Sequence, residues 1–290
     1  SLHRNNQDPV PRCVQSSGPW PFVTRRVYRS ADESEHVWSS RHHRKGLLLR
    51  AEGEAGKESG HVGAWIWNPA SLNWWIGGIF AVGALLFVVA SVLSLSSSLA
   101  DAMNLSPNEV NAIFFAGSIP FTTAAYLQLF QAANAGANEH EKQWSQGRAI
   151  IGWRPTDIGW LSGISQFVGT ILFNFNTFDA MIPSLSWFEQ ELLIWVPNII
   201  GSILFLVSGY LAFIETCHAH WAWNPQSISW RIVFANLLGC VGFMIAAIFS
   251  YVTPSPHPEA VTLSIVFTLL GAIGFFVGSI LMLPEAKSTQ

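Results

Sequence analysis

Apolar residues in this chain gather into six long blocks, with neither the helical nor the strand interval of a water-facing element. The stretches 74–95, 111–132, 158–178, 192–214, 232–252 and 260–283 contain no Asp, Glu, Lys or Arg. Each is long enough, as a helix, to cross a hydrocarbon core of about 30 Å. A helix that is apolar on every side is buried in protein or in lipid. The pattern therefore predicts an all-α polytopic membrane protein with six spans. The region 1–62 is different. It is polar, has no apolar core of its own and no signal-peptide core, and it reads as a mostly disordered cytoplasmic tail.

Composition excludes the main alternatives. Charged residues make up 11% of the chain, against about 25% in soluble domains, too few to clothe a water-facing surface. That argues against a soluble enzyme, a disordered protein and a nucleic-acid binder, and makes the lipid bilayer the first partner. The chain has 14 Trp and 20 Phe but 4 Tyr, and indole rings favour membrane–water interfaces. Cys13, Cys217 and Cys240 show no paired spacing.

The distribution of charge predicts an orientation. Ten of the 15 basic residues precede the first span, with Arg41-His42-His43-Arg44-Lys45 as a basic knot. Lys142, Arg148 and Arg154 lie between spans two and three, Arg231 between spans four and five, and Lys287 in the tail. The alternate loops carry acids instead: Asp101, Glu109, Asp179, Glu189, Glu191 and Glu259. An even number of spans places every Lys and Arg on one side, so both termini are expected in the cytoplasm, with the protein in a plasma or inner membrane. The basic knot either helps fix this topology or is drawn to anionic headgroups.

A threefold internal repeat emerges from self-comparison. The form Trp-x-Pro-x-(Ser/Asp)-(Leu/Ile)-x-Trp occurs at 67–74, 153–160 and 223–230, each time just before an odd-numbered span. At the same offsets Gly83, Gly169 and Gly239 correspond, as do Phe87, Phe173 and Phe243. In the even spans Gly117, Gly201 and Gly271 correspond, and Gln131 stands where Glu215 and Glu285 stand. This divides the chain into the tail 1–62 and hairpin repeats 63–142, 143–220 and 221–290, all entering the membrane in one direction, as parallel repeats. Within the motif, Trp67 and Trp74, Trp153 and Trp160, and Trp223 and Trp230 are expected to anchor at headgroup depth. Proline stops any preceding helix. Ser71, Asp157 and Ser227 are then the expected N-caps.

Polar side chains inside spans are the natural place to seek function. Gln166 and Asn236 occupy equivalent repeat positions, with Phe80 in the third; Asn198 lies near the middle of span four beside Pro197, and Asn174 and Asn176 near the outer end of span three. They either line a solute path or bond helix to helix. The cluster Glu215, Cys217, His218 and His220 offers metal-competent ligands, with His140 in a neighbouring loop, but its spacing is not a standard zinc pattern; the alternative is a polar helix end. No catalytic motif is present, so no catalytic residue is named, and an enzyme is not favoured. The identity of any cofactor is unknown from the sequence.

The hairpin unit, with its Gly-Ser-Ile-Leu-Phe segment at 201–205 and a glutamate ending the second helix (Glu215, Glu285), resembles the YrhK-like membrane family. The resemblance extends over one hairpin at a time; it implies a membrane location and supplies no activity. Three parallel hairpins also resemble a mitochondrial carrier superficially. However, the carriers' Pro-x-(Asp/Glu)-x-x-(Lys/Arg) signature is missing: Pro155-Thr156-Asp157 is followed by Trp160 and precedes its span.

Three expectations follow: a bundle that binds or passes a small solute, a scaffold or sensor that packs on protein partners, lipids or a second copy of the chain, and a metal site at the cytoplasmic face.

Overall fold

The computed structural model describes residues 12–30, 33–46, 67–135, 148–182, 184–251 and 257–288. Six helices among them are long and apolar enough to span a membrane. They are α2 (Leu72–Leu95), α4 (Pro107–Asn134), α5 (Ile158–Asp179), α7 (Val196–Cys217), α8 (Ile228–Phe249) and α9 (Pro258–Ser288). Short helices α3 (Ser97–Ala102) and α6 (Trp187–Gln190) lie in connections, and a π-helical turn, Glu191–Trp195, leads α6 into α7 just before Pro197.

The six long helices close into a ring in chain order. Helix α2 packs on α4, α4 on α5, α5 on α7, α7 on α8, α8 on α9, and α9 returns to α2. Three of these contacts cross at glycine pairs: Gly83 with Gly117, Gly169 with Gly201, and Gly239 with Gly271. At each crossing a Cβ on one glycine would stand 2.9–3.2 Å from the carbonyl oxygen of the other. Glycine is required there because the backbones themselves are in contact.

Phenylalanines fill the middle of the ring. Phe87, Phe121, Phe173, Phe205, Phe243 and Phe275 are all buried, and the Phe243 ring lies 5.2–6.3 Å from those of Phe87, Phe173, Phe205 and Phe275. These aromatic contacts fill the centre of the ring at this level.

Of the three N-caps expected from the repeat motif, two form and one does not. Asp157 accepts hydrogen bonds from the N–H groups of Gly159 and Trp160, and Ser227 from that of Trp230, as N-caps should. Ser71 occupies the same place before α2 but is buried and makes no side-chain cap bond. At the opposite end, Ser106 with Glu109 and Ser186 with Glu189 form capping boxes, which gives two loop acids a local task.

The tryptophan motif pairs its own rings. The two indoles of each copy meet edge to face, with centroids 5.0 Å apart for Trp67–Trp74, 5.5 Å for Trp153–Trp160 and 4.8 Å for Trp223–Trp230. Trp67, Trp153 and Trp223 are exposed, whereas Trp160 and Trp230 are buried. The buried indoles donate to the carbonyls of Ile151 and Ala222 and so satisfy loop backbone.

The largest difference lies in the polar N-terminal region. Where a mostly disordered tail was expected, residues 12–45 form strands β1 (Arg12–Ser17), β2 (Arg25–Arg29) and β3 (Glu35–Ser39), followed by helix α1 (Ser40–Lys45). The sheet is antiparallel in the order β1-β2-β3. Its buried apolar residues are Val27, Tyr28 and Trp38, with the Arg26 guanidinium 5.1 Å from the Trp38 ring centroid. So small a core is insufficient alone. The layer is held because it docks on the end of the bundle.

Candidate functional site

The docking is ionic and buried. Helix α1 contacts α4, α5 and α7, and presents Arg41, Arg44 and Lys45 to the bundle, all buried. Arg44 forms a bidentate pair with Glu215: Nη1 donates to Oε1 and Nη2 to Oε2, both at 2.8 Å. Ser40 Oγ donates to the same carboxylate at 2.9 Å. Arg41 Nη2 donates to Glu285 Oε1 at 2.9 Å, Ser229 Oγ donates to it at 2.7 Å, and Asn73 Nδ2 donates to Oε2 at 3.3 Å. Gly159 makes room for the Arg44 guanidinium, since a Cβ there would fall inside it. Fork-on-fork geometry with added hydroxyl donors is what a desolvated carboxylate needs.

Three members of the basic knot, Arg41, Arg44 and Lys45, are buried, and two of them, Arg41 and Arg44, pair with glutamates of the bundle. Burial by itself would lower the proton affinity of Arg44, but the adjoining Glu215 carboxylate raises it above the ordinary value, so Arg44 stays charged. Burial pushes Lys45 well below the ordinary lysine range; Arg41 adds to this, and Glu285 opposes it from a distance. Among the described residues, Lys45 has no ion-pair partner.

Under α1 lies a cavity of about 50 Å³. Arg41, Arg44 and Lys45 roof it, Gln128, Gln131, Gln166, Ser162, Ser208 and Asn236 supply polar walls, and Phe205 and Phe275 stand toward the aromatic centre. Gln131 is fully buried, and neither Oε1 nor Nε2 has a hydrogen-bond partner. Buried amides are almost always paired, which singles this side chain out within the cavity wall.

The polar span residues divide into two groups. Gln166 and Asn236 share the cavity. Asn174 instead donates to Thr122 Oγ1 at 2.9 Å, and Asn198 to Ser250 Oγ at 3.1 Å. Asn198 stands near the start of α7, not mid-span, and both bonds join neighbouring helices. Asn176 is half-buried near the end of α5. No single path collects all five.

The four candidate metal ligands each have another partner in the structure. Glu215 is occupied by Arg44 and Ser40; Thr24 Oγ1 and His218 Nδ1 are 2.8 Å apart, as are Tyr210 Oη and His220 Nδ1 at 2.9 Å; Cys217 donates to the Ala222 carbonyl. The helix ends at Cys217, and His218 adopts a left-handed conformation with φ 54°, so the helical spacing does not continue to His220. Among the described residues no group of three His, Cys, Asp or Glu converges as metal ligands, and His140 lies outside them.

Sequence reasoning missed α1 as part of the site. Two signals were available: a basic five-residue run, and glutamates at matching ends of two spans. Opposite charges at the mouth of an apolar bundle should pair. No family model matches the chain, and comparison with curated proteins and with solved structures finds no match.

Proposed function

We propose that this chain is an integral membrane protein that binds a small polar solute in the cavity beneath its N-terminal cap, and that cap and bundle together act as a receptor, not an open pore. The carrying observation is the polar cavity roofed by Arg41, Arg44 and Lys45 and walled by Gln131, Gln166 and Asn236. A buried polar space of this size takes a solute of a few heavy atoms or a few waters. The phenylalanine centre supports binding over passage in this state, and because the roof is α1 itself, occupancy would be reported through the docked sheet.

In this reading the spans are three copies of one parallel hairpin, with both termini cytoplasmic. The three glycine crossings and the three indole pairs support the repeat, and the confinement of basic residues to alternate connections supports the orientation. The test is thermal unfolding of the purified full chain in lipid nanodiscs against small polar probes, neutral (formamide) and ionic. A saturable rise in midpoint that Gln166→Leu or Asn236→Leu removes is expected. Lack of any saturable response to either kind of probe would overturn the reading. A sensor that packs on protein partners through the exposed cap is the second reading, favoured by the separate sheet layer; a stoichiometric partner lost on deleting residues 12–46 would establish it.

A further inference from the structure

The roof of the cavity holds more positive charge than its walls answer. Three basic side chains of α1 are buried there, and two carboxylates, Glu215 and Glu285, each take one arginine. Asp157 acts on Arg44 from the start of α5, where its carboxylate is engaged by two backbone N–H groups. At the position that matches Glu215 by the repeat offset stands Gln131, which brings no charge. Lys45 is thus left without a carboxylate within ion-pair reach among the described residues, and it lines the same cavity as the unpartnered Gln131 amide.

An unpaired buried ammonium and an unpaired buried amide are each costly, and they are costly in a complementary way. Lys45 feels Glu285 and Glu215 from a distance but has no carboxylate in contact among the described residues, and Gln131 lacks an acceptor for its N–H as well as a donor to its Oε1. The two needs an anion answers are the ammonium and the amide N–H. A single small anion meets both needs. The low polarity of the site would strengthen its contacts.

Resting on the proposed reading of the cavity as a solute site, we propose that it binds one small monovalent inorganic anion of halide size, held by the Lys45 ammonium and by the side-chain amide N–H groups of Gln131 and Gln166. The anion takes the place of the missing third carboxylate. A volume of about 50 Å³ admits a halide with a water molecule. A lipid phosphate would have to draw its glycerol and acyl chains past the buried Arg41 and Arg44, so the source is the aqueous phase. The anion would also tie α1 to the bundle, making docking of the sheet dependent on it.

The test uses the full chain in phosphatidylcholine nanodiscs at constant sodium concentration, with gluconate replaced stepwise by bromide. The expected result is a saturable rise in the thermal midpoint with bromide. Gln131→Glu supplies the third carboxylate within the chain; it should equal or exceed the wild type in gluconate and lose the bromide response. Lys45→Met should weaken the apparent bromide affinity by about tenfold or more. Bromide anomalous scattering from crystals of the wild type should place the ion between α1, α4 and α5. A bromide response retained in Gln131→Glu, or a scattering peak elsewhere, overturns the proposal. If bromide has no effect while formamide protects and Gln166→Leu abolishes that protection, the anion assignment falls and the solute cavity stands. If neither probe acts, both fall.

Discussion

At the residue scale, the ion pairs of α1 are the most exacting feature. Glu215 and Arg44 are buried with both carboxylate oxygens engaged, and a buried pair that loses one partner leaves the other charge uncompensated. Glu215→Gln is therefore expected to destabilise the docked state by about 3–5 kcal/mol. The double change Glu215→Leu with Arg44→Met should recover most of that, because the remaining apolar pair needs no solvent; thermal unfolding of the two variants tests this. A second residue sets a pH dependence. Burial first, and the nearby Arg25 guanidinium and His42 next, hold His218 below its ordinary value of 6.5, against an opposing pull from Glu215. Its neutral ring is the docked partner of Thr24. Since the docked value is the depressed one, its contribution is complete above about pH 6.5 and is lost as pH falls from there toward that value. Amide exchange in β2 should accelerate across that acid range, and His218→Gln should flatten the change.

At the scale of elements, the three glycine crossings decide how closely paired helices approach. Gly239 and Gly271 are the clearest case: a Cβ on Gly271 meets the Gly239 carbonyl at 2.9 Å and lies closer still to the Phe243 ring. Gly271→Val should cost at least about 1–3 kcal/mol, because neither backbone nor a ring packed in the centre can yield. Gly78→Ala, where open space surrounds the added carbon, is the matched control and should be neutral or slightly stabilising in a thermal melt. The spans themselves were legible in the sequence, since charge-free runs of that length have few alternatives. Asp157 and Ser227 were legible as caps because capping is local. The cap layer was not. Its strands lack apolar–polar alternation, with the apolar residues side by side in Arg25-Arg26-Val27-Tyr28-Arg29 and Glu35-His36-Val37-Trp38, and most of what stabilises them belongs to other parts of the chain. Arg44 and Glu215 are 171 residues apart, and Arg41 and Glu285 are 244 apart. No local pattern encodes such pairs; only charge complementarity does. The same distance dependence bears on the metal expectation, which rests on four neighbours in sequence, whereas the helical spacing does not continue past the left-handed residue at the helix end.

At the scale of the whole molecule, sidedness gives the site its meaning. The cap, the cavity and the starts of α2, α5 and α8 share one end of the bundle, while α3, α6 and the two capping boxes lie at the other. If the basic end faces the cytoplasm, the cavity samples cytoplasmic solutes, and a change in its occupancy is presented to cytoplasmic partners by the docked sheet. Cys13 is exposed in β1, Cys217 is half-buried at the same end and Cys240 is buried in α8, so with Cys217→Ser throughout, Cys13 is the reporter on the capped end. A membrane-impermeant maleimide should leave Cys13 unlabelled in intact cells and label it in inverted vesicles. A cysteine placed at Ser98 in α3, combined with Cys13→Ser, should show the reverse. Labelling of Cys13 from outside would invert the orientation. The cavity would then open to the extracellular or lumenal phase, and the cap and the basic connections on its side would together lie against the positive-inside bias. The ion pairs themselves would be unaffected, because Glu215 and Glu285 hold α1 in either orientation; what would change is the compartment whose solutes the cavity can read.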